Sequence, residues 1–185
     1  MPHYIAFLRG INLGNRRVKM DALRAHFAAL GFTDVETFIA SGNVIFSARA
    51  TDPDKLATTI AAHLEKSLGY PVDSFLRTRS EVSAIAASHP FGSAVLADPG
   101  HTLHVGFFAR ELTSAQARGL RACRSPHDEF RVEGREYYWL CRGLKSHESK
   151  IWASAELRAL RLPSSSMRNF TTIRKLAALY PPPEA

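Results

Sequence analysis

The order in which strand-like and helix-like patterns follow one another, nearly repeated in the second half, most narrows the folds open to this chain. His3–Arg9 is an apolar strand run. Met20, Leu23, Phe27 and Leu30 recur at helical spacing, with Gly31 placed to close that helix. Val35–Ile39 and Val44–Phe46 are β-rich runs separated by the turn-forming Ala40-Ser41-Gly42-Asn43. Asp52 and Pro53 read as the N-cap and first residue of a helix with the stripe Leu56, Ile60, Leu64 and Leu68, and Gly69 stops it. Val72–Arg77 is a further strand, and a helix from Ser80 ends before Pro90.

The second half starts again with a strand, Leu103–Phe108. Thr113-Ser114-Ala115-Gln116 carries a capping-box signal for a helix to about Ala122. Phe130–Val132 and Glu136–Leu140 flank Glu133-Gly134, a two-residue hairpin signal. A helix opening at Ser146 or Ser149 runs to about Leu160, and Pro163-Ser164-Ser165-Ser166 breaks it. A last helix carries Phe170, Ile173, Leu176 and Tyr180 on one side and ends before Pro181. The orders β-α-β-β-α-β with one more helix, then β-α-β-β-α-α, predict an α+β protein of two ferredoxin-like (split β-α-β) subdomains in one compact chain. The expected subdomains are residues 1–92 and 93–185, divided in the small-residue stretch Gly92–Gly100.

The 185 residues suffice for one core or for two small ones sharing an interface. No apolar run approaches the roughly 20 residues of a membrane span, and Met1-Pro2-His3-Tyr4 lacks a basic leader, so a cytoplasmic location without membrane partners is the expectation. Cys123 and Cys141 lie far apart and read as free structural thiols. His101 and His104 would point to opposite faces of a strand, and no H-x-x-x-H spacing occurs, so neither a metal nor another cofactor is expected. The formal charge is +7, most of the excess falling after residue 92, and a basic chain favours anionic partners.

The passage Arg9-Gly10-Ile11-Asn12-Leu13-Gly14-Asn15-Arg16-Arg17 leaves the first strand, turns at two glycines and adds basic charge without an acid. Such a loop before a helix N-terminus can present N–H groups and cations to an anion, with Asn12 as an amide donor and Arg9, Arg16 and Arg17 as the charges. Gly10 and Gly14 equally serve a sharp connection. The loop matches neither a dinucleotide fingerprint nor a P-loop. Ser41 and Asn43 flank the turn glycine Gly42 and would stand at a sheet end. Near the C-terminus Asn169 reads as an N-cap beside Arg168, with Thr171 in the first turn and Lys175 beyond, a combination suited to phosphate or carboxylate.

Together Phe7–Gly14, Ser41–Phe46 and Met167–Leu176 resemble the family catalogued as domain of unknown function 1697, found mostly in bacteria. The resemblance runs from Tyr4 to about Leu179. Where the family's first loop reads like Gly-Ile-Asn-Val-Gly-Gly, this chain has Asn15 in place of the last glycine. The stretch Gly143–Lys150 is similar to the family's Gly-x-Ser-Lys region with an altered interior. The resemblance implies the fold but no activity.

Residues 9–19, 41–47 and 163–180 hold no Asp, Glu, His or Cys, so these segments suit binding an anion better than moving protons. The first expectation is a binding module for a phosphate-containing metabolite or nucleic acid. The second is an enzyme positioning a phosphorylated substrate, which would need Asp21, Glu36 or His147 beside the basic groups. The third is a protein-interaction module. For nucleic acid, Tyr4, Phe7, Phe46, Tyr137, Tyr138 and Trp139 lie on candidate strands where RNA-recognition sheets stack bases, although Phe7 and Phe46 suit a core.

Overall fold

The computed structural model describes residues 1–49 and 52–183. The chain divides into two compact units, residues 1–85 with the C-terminal stretch from Leu176, and Ala86–Lys175.

In the first unit β1 (His3–Arg9), α1 (Met20–Ala29), β2 (Thr33–Phe38), β3 (Asn43–Ser47), α2 (Pro53–Leu68), β4 (Asp73–Thr78) and α3 (Arg79–Ala87) follow in order. Their antiparallel sheet has the order β2-β3-β1-β4, so β1 is flanked by the strands that enter and leave α2. Asp52 Oδ1 accepts from the N–H groups of Asp54 and Lys55, Pro53 opens α2, and Gly69 at φ +77 closes it. Leu23 and Phe27 of α1 and Leu56, Ile60 and Leu64 of α2 pack on Tyr4, Ala6, Leu8, Val44 and Phe46. Phe46 stacks on Phe32 at 4.6 Å and meets Phe27 edge-on at 5.3 Å. The alternate positions Ile5, Phe7, Ile45, Phe75 and Arg77 are buried as well.

The second unit starts with the short α4 (Ser93–Ala97), followed by β5 (His101–Phe108), α5 (Ser114–Ala122), β6 (Asp128–Glu133) and β7 (Glu136–Arg142). Two 3₁₀ turns, Ser146–Glu148 and Ile151–Ala153, lead to α6 (Ala155–Ala159), β8 (Ser165–Asn169) and α7 (Phe170–Leu179), whose end from Leu176 is counted with the first unit. The sheet order β6-β7-β5-β8 repeats that of the first unit, giving two ferredoxin-like α+β subdomains. The capping box at Thr113 and Gln116 forms as its spacing predicts.

Several local expectations need correction. Ser165–Asn169 is a strand on the edge of β5 where only a break was expected, because pairing with Val105 and Phe107 supplies what its serine-rich pattern lacks, and its last residue Asn169 still caps the following helix as its position predicts. The helix expected from Ser146 or Ser149 to Leu160 is broken into turns. Ser149 Oγ donates to buried Asp128 and accepts from Ile151 N–H, and Ser154 Oγ caps Leu157 N–H. The hairpin turn is Gly134-Arg135, since Glu133 pairs with Glu136.

Candidate anion-binding loop

The loop after β1 is held from inside. Asn12 adopts φ +54, its Nδ2 donates to Ala40 O at 2.8 Å, and its Oδ1 accepts from Val18 N–H at 2.8 Å. One side chain thus pins the loop to the β2–β3 turn and to the approach to α1. Gly10 takes φ +92 where a Cβ would stand 3.1 Å from Pro71 O, so both its backbone and its surroundings call for glycine. Gly14 takes φ +55 in open space.

On this frame the charges stand outward. Arg9 pairs with Asp73 on β4 at 3.2 Å, an exposed contact worth about 0–1 kcal/mol. The Arg16 guanidinium carbon lies 4.4 Å from the centroid of the Tyr70 ring, a cation–π contact. Arg17 is exposed and donates to Arg16 O at 3.0 Å, and Lys19 is exposed at the N-cap of α1, where no side chain caps the helix. Leu13 at the tip is 62% exposed. The result is a braced loop with cations at its surface and an uncapped helix N-terminus following it.

The β2–β3 turn meets this loop, with Leu8 N–H donating to Gly42 O at 2.9 Å and Gly42 facing Leu8 and Ile11. Asn43 is fully buried, and its Nδ2 donates to Phe38 O and Ser41 Oγ. Ser41 and Asn43 therefore build the turn that supports the loop. Of the candidates, Arg9, Gly10, Asn12, Gly14, Arg16, Arg17, Ser41 and Asn43 belong to this neighbourhood of the first unit.

Arg168, Asn169, Thr171 and Lys175 belong to the second unit. Arg168 is only 9% exposed, its Nη1 donates to Ser166 Oγ and Met167 O, and burial pulls its guanidinium down to about 10. Asn169 Oδ1 caps α7 by accepting from the N–H and the hydroxyl of Thr171. Lys175 is exposed on the helix.

The carboxylates proposed for catalysis are engaged elsewhere. Asp21 pairs with Arg24, and Glu36 accepts from Tyr180 Oη at 2.6 Å. His147 is exposed in a 3₁₀ turn of the second unit. Among the described residues no group of three or more His, Cys, Asp or Glu is placed to hold a metal, and no helix is long and apolar enough to cross a membrane. Tyr4, Phe7, Phe46, Tyr137, Tyr138 and Trp139 are all buried, so these aromatics present no open face for stacking bases.

A family model described as a protein of unknown function (DUF1697) matches residues 1–138. The chain belongs to the DUF1697 family. That match includes the braced loop and the Ser41–Asn43 turn. The chain is also similar to the solved structure of conserved bacterial protein SP0830 from Streptococcus pneumoniae, with a TM-score of 0.74 and 20% identity over 97% of this chain and 98% of that one. At this identity the likeness shows the fold alone. A search of curated proteins found no match.

Sequence reasoning missed Tyr70 and Asp73, which follow α2 in the chain and contact Arg16 and Arg9. Tyr70-Pro71-Val72-Asp73 carries no spacing that signals this role, because both contacts arise only when β4 pairs with β1.

Proposed function

We propose that this DUF1697 protein binds the phosphate backbone of nucleic acid through the loop from Arg9 to Lys19. The observation that carries this reading is Arg16 stacked on Tyr70, beside exposed Arg17 and Lys19, on a loop pinned by Asn12. A guanidinium already resting on an aromatic ring loses less freedom when it meets a phosphate. Cations spread along an exposed loop suit an extended polyanion. With the strand aromatics buried, recognition would run through phosphates and be indifferent to sequence.

Fluorescence anisotropy of a labelled single-stranded oligonucleotide, followed from about 50 to 200 mM salt, tests this. Each phosphate contact should add about 0.7 to the slope of log K against log salt for a single strand. The R16Q/R17Q double variant should bind more weakly and show a shallower slope. Absence of binding at low salt, or an unchanged slope in that variant, rejects the reading.

A further inference from the structure

Two exposed apolar residues stand where the basic loop meets the β2–β3 turn. Leu13 is 62% and Ile39 is 51% exposed. Each is next in the chain to one partner of the Asn12 Nδ2–Ala40 O bond, so the 2.8 Å contact that braces the loop also joins the segments carrying them. Leu13 O accepts from Arg16 N–H at 3.0 Å, which closes a turn with the apolar residue at one end and the arginine at the other. Arg16, Arg17 and Lys19 are exposed beside it, and neither residues 9–19 nor residues 37–49 hold an acid. The surface is apolar at its tips and cationic along its flank.

Ile39 sits in a strained backbone. Its φ is +52, a left-handed conformation that β-branched residues rarely adopt and that Asn or Gly takes readily. The carbonyls on both sides of it are tied down. Phe38 O accepts from Asn43 Nδ2 at 3.0 Å, and Ala40 O accepts from Asn12 Nδ2. Half-exposed, this isoleucine gains only part of the burial that offsets such strain in a core. Its side chain suits a contact made outside the chain.

Building on the phosphate-binding reading of this loop, we infer that Leu13 and Ile39 pack against unpaired bases, so that the site selects single-stranded nucleic acid over duplex. Bases in a single strand have faces free to pack, and covering one removes apolar surface from water while the cations follow the phosphates. A wedge between paired bases would first have to unstack them. Phosphate attraction alone favours the duplex, which carries the denser charge, so a preference for the single strand isolates the apolar contact. Two side chains cover a base but bury little against a lipid surface, where binding scales with apolar area.

The probes are a labelled thymidine oligonucleotide, an abasic strand of equal length, and the thymidine strand paired with its complement, each titrated by fluorescence anisotropy at low salt. The thymidine strand should bind about tenfold more tightly than either of the others. L13S/I39N should bring it to the affinity of the abasic strand without changing the salt slope, and L13S alone should act in the same direction. Asn suits the backbone at residue 39, so the variant should keep its fold, which the thermal midpoint checks. Equal binding of the thymidine and abasic strands, tighter binding of the duplex, or wild-type binding by both variants overturns the inference. Where binding still falls with salt, those outcomes leave the phosphate reading standing. No binding of any strand, or an unchanged slope in R16Q/R17Q, rejects that reading and the inference with it. Binding to phosphatidylserine vesicles or self-association that L13S/I39N abolishes, without any preference among the three strands, assigns the apolar pair to a lipid surface or a second copy and overturns the inference as well.

Discussion

Arg77 and Arg168 occupy the same register in the two sheets. Arg77 on β4 lies opposite Ile5 of β1, and Arg168 on β8 lies opposite Val105 of β5. Each Nη1 donates to the carbonyl of the preceding residue, Leu76 O at 2.8 Å and Met167 O at 2.9 Å. Both side chains are buried, at 1% and 9% exposure. The two units thus repeat a buried cation as well as a strand order. Removing a buried, hydrogen-bonded guanidinium leaves carbonyl partners unsatisfied, so R77A and R168A should each lower the unfolding free energy by about 1.5–3 kcal/mol. R77M and R168M retain volume without the charge and should cost less. Urea unfolding checks both, and an R168A protein as stable as the wild type would contradict the assignment.

Asn12 is the brace of the basic loop. N12A removes the bonds to Ala40 O and Val18 N–H and places alanine at φ +54, so a loss of about 1–3 kcal/mol is expected. N12G removes the same bonds but tolerates the backbone, and should lose less. Both should speed proteolysis between Gly10 and Lys19. Unchanged cleavage in N12A would show that the loop is held by other contacts.

Gly106 and Tyr137 form a pair across β5 and β7. A Cβ on residue 106 would lie 1.9 Å from the Tyr137 ring, far inside van der Waals contact, so the ring would have to shift. G106A should therefore destabilise by about 3 kcal/mol or more. Combining it with Y137L should recover part of that loss, a non-additivity that a double-mutant cycle measures directly. Additive losses would mean that the two positions do not compete for space.

His104 is buried and stacked on Trp139 at 4.9 Å, and burial pushes its imidazole down to about 4. Its folded value lies below the unfolded one near 6.5, so the folded state favours the neutral ring. Above about pH 6.5 this group adds no pH dependence. As pH falls from there towards about 4, the unfolded chain takes up the proton first and stability drops by about 3 kcal/mol. H104Q should flatten that part of the stability curve, as measured by thermal midpoints between pH 7 and 4. An unchanged acid slope would assign the loss to other groups.

Much of the chain's local structure is legible in its residues. Asp52-Pro53 and Gly69 mark both ends of α2, and Thr113 and Gln116 mark the start of α5, because a cap acts within a single turn. The basic, acid-free loop is legible too, since charge and glycine are written locally. The brace within it is not, because Ala40 stands 28 residues from Asn12.

The strand at Ser165–Asn169 has little apolar alternation and exists because β5 offers it an edge. The stretch after Ser146 has helical spacing, yet Asp128, 21 residues away from Ser149, draws that serine out of a helix while also holding the Trp139 indole N–H. Propensities, caps and turns act over a few residues and so can be read along the chain. Buried polar partners and strand edges act across it: they broke the helix expected after Ser146 into short turns, an outcome that no local pattern announces.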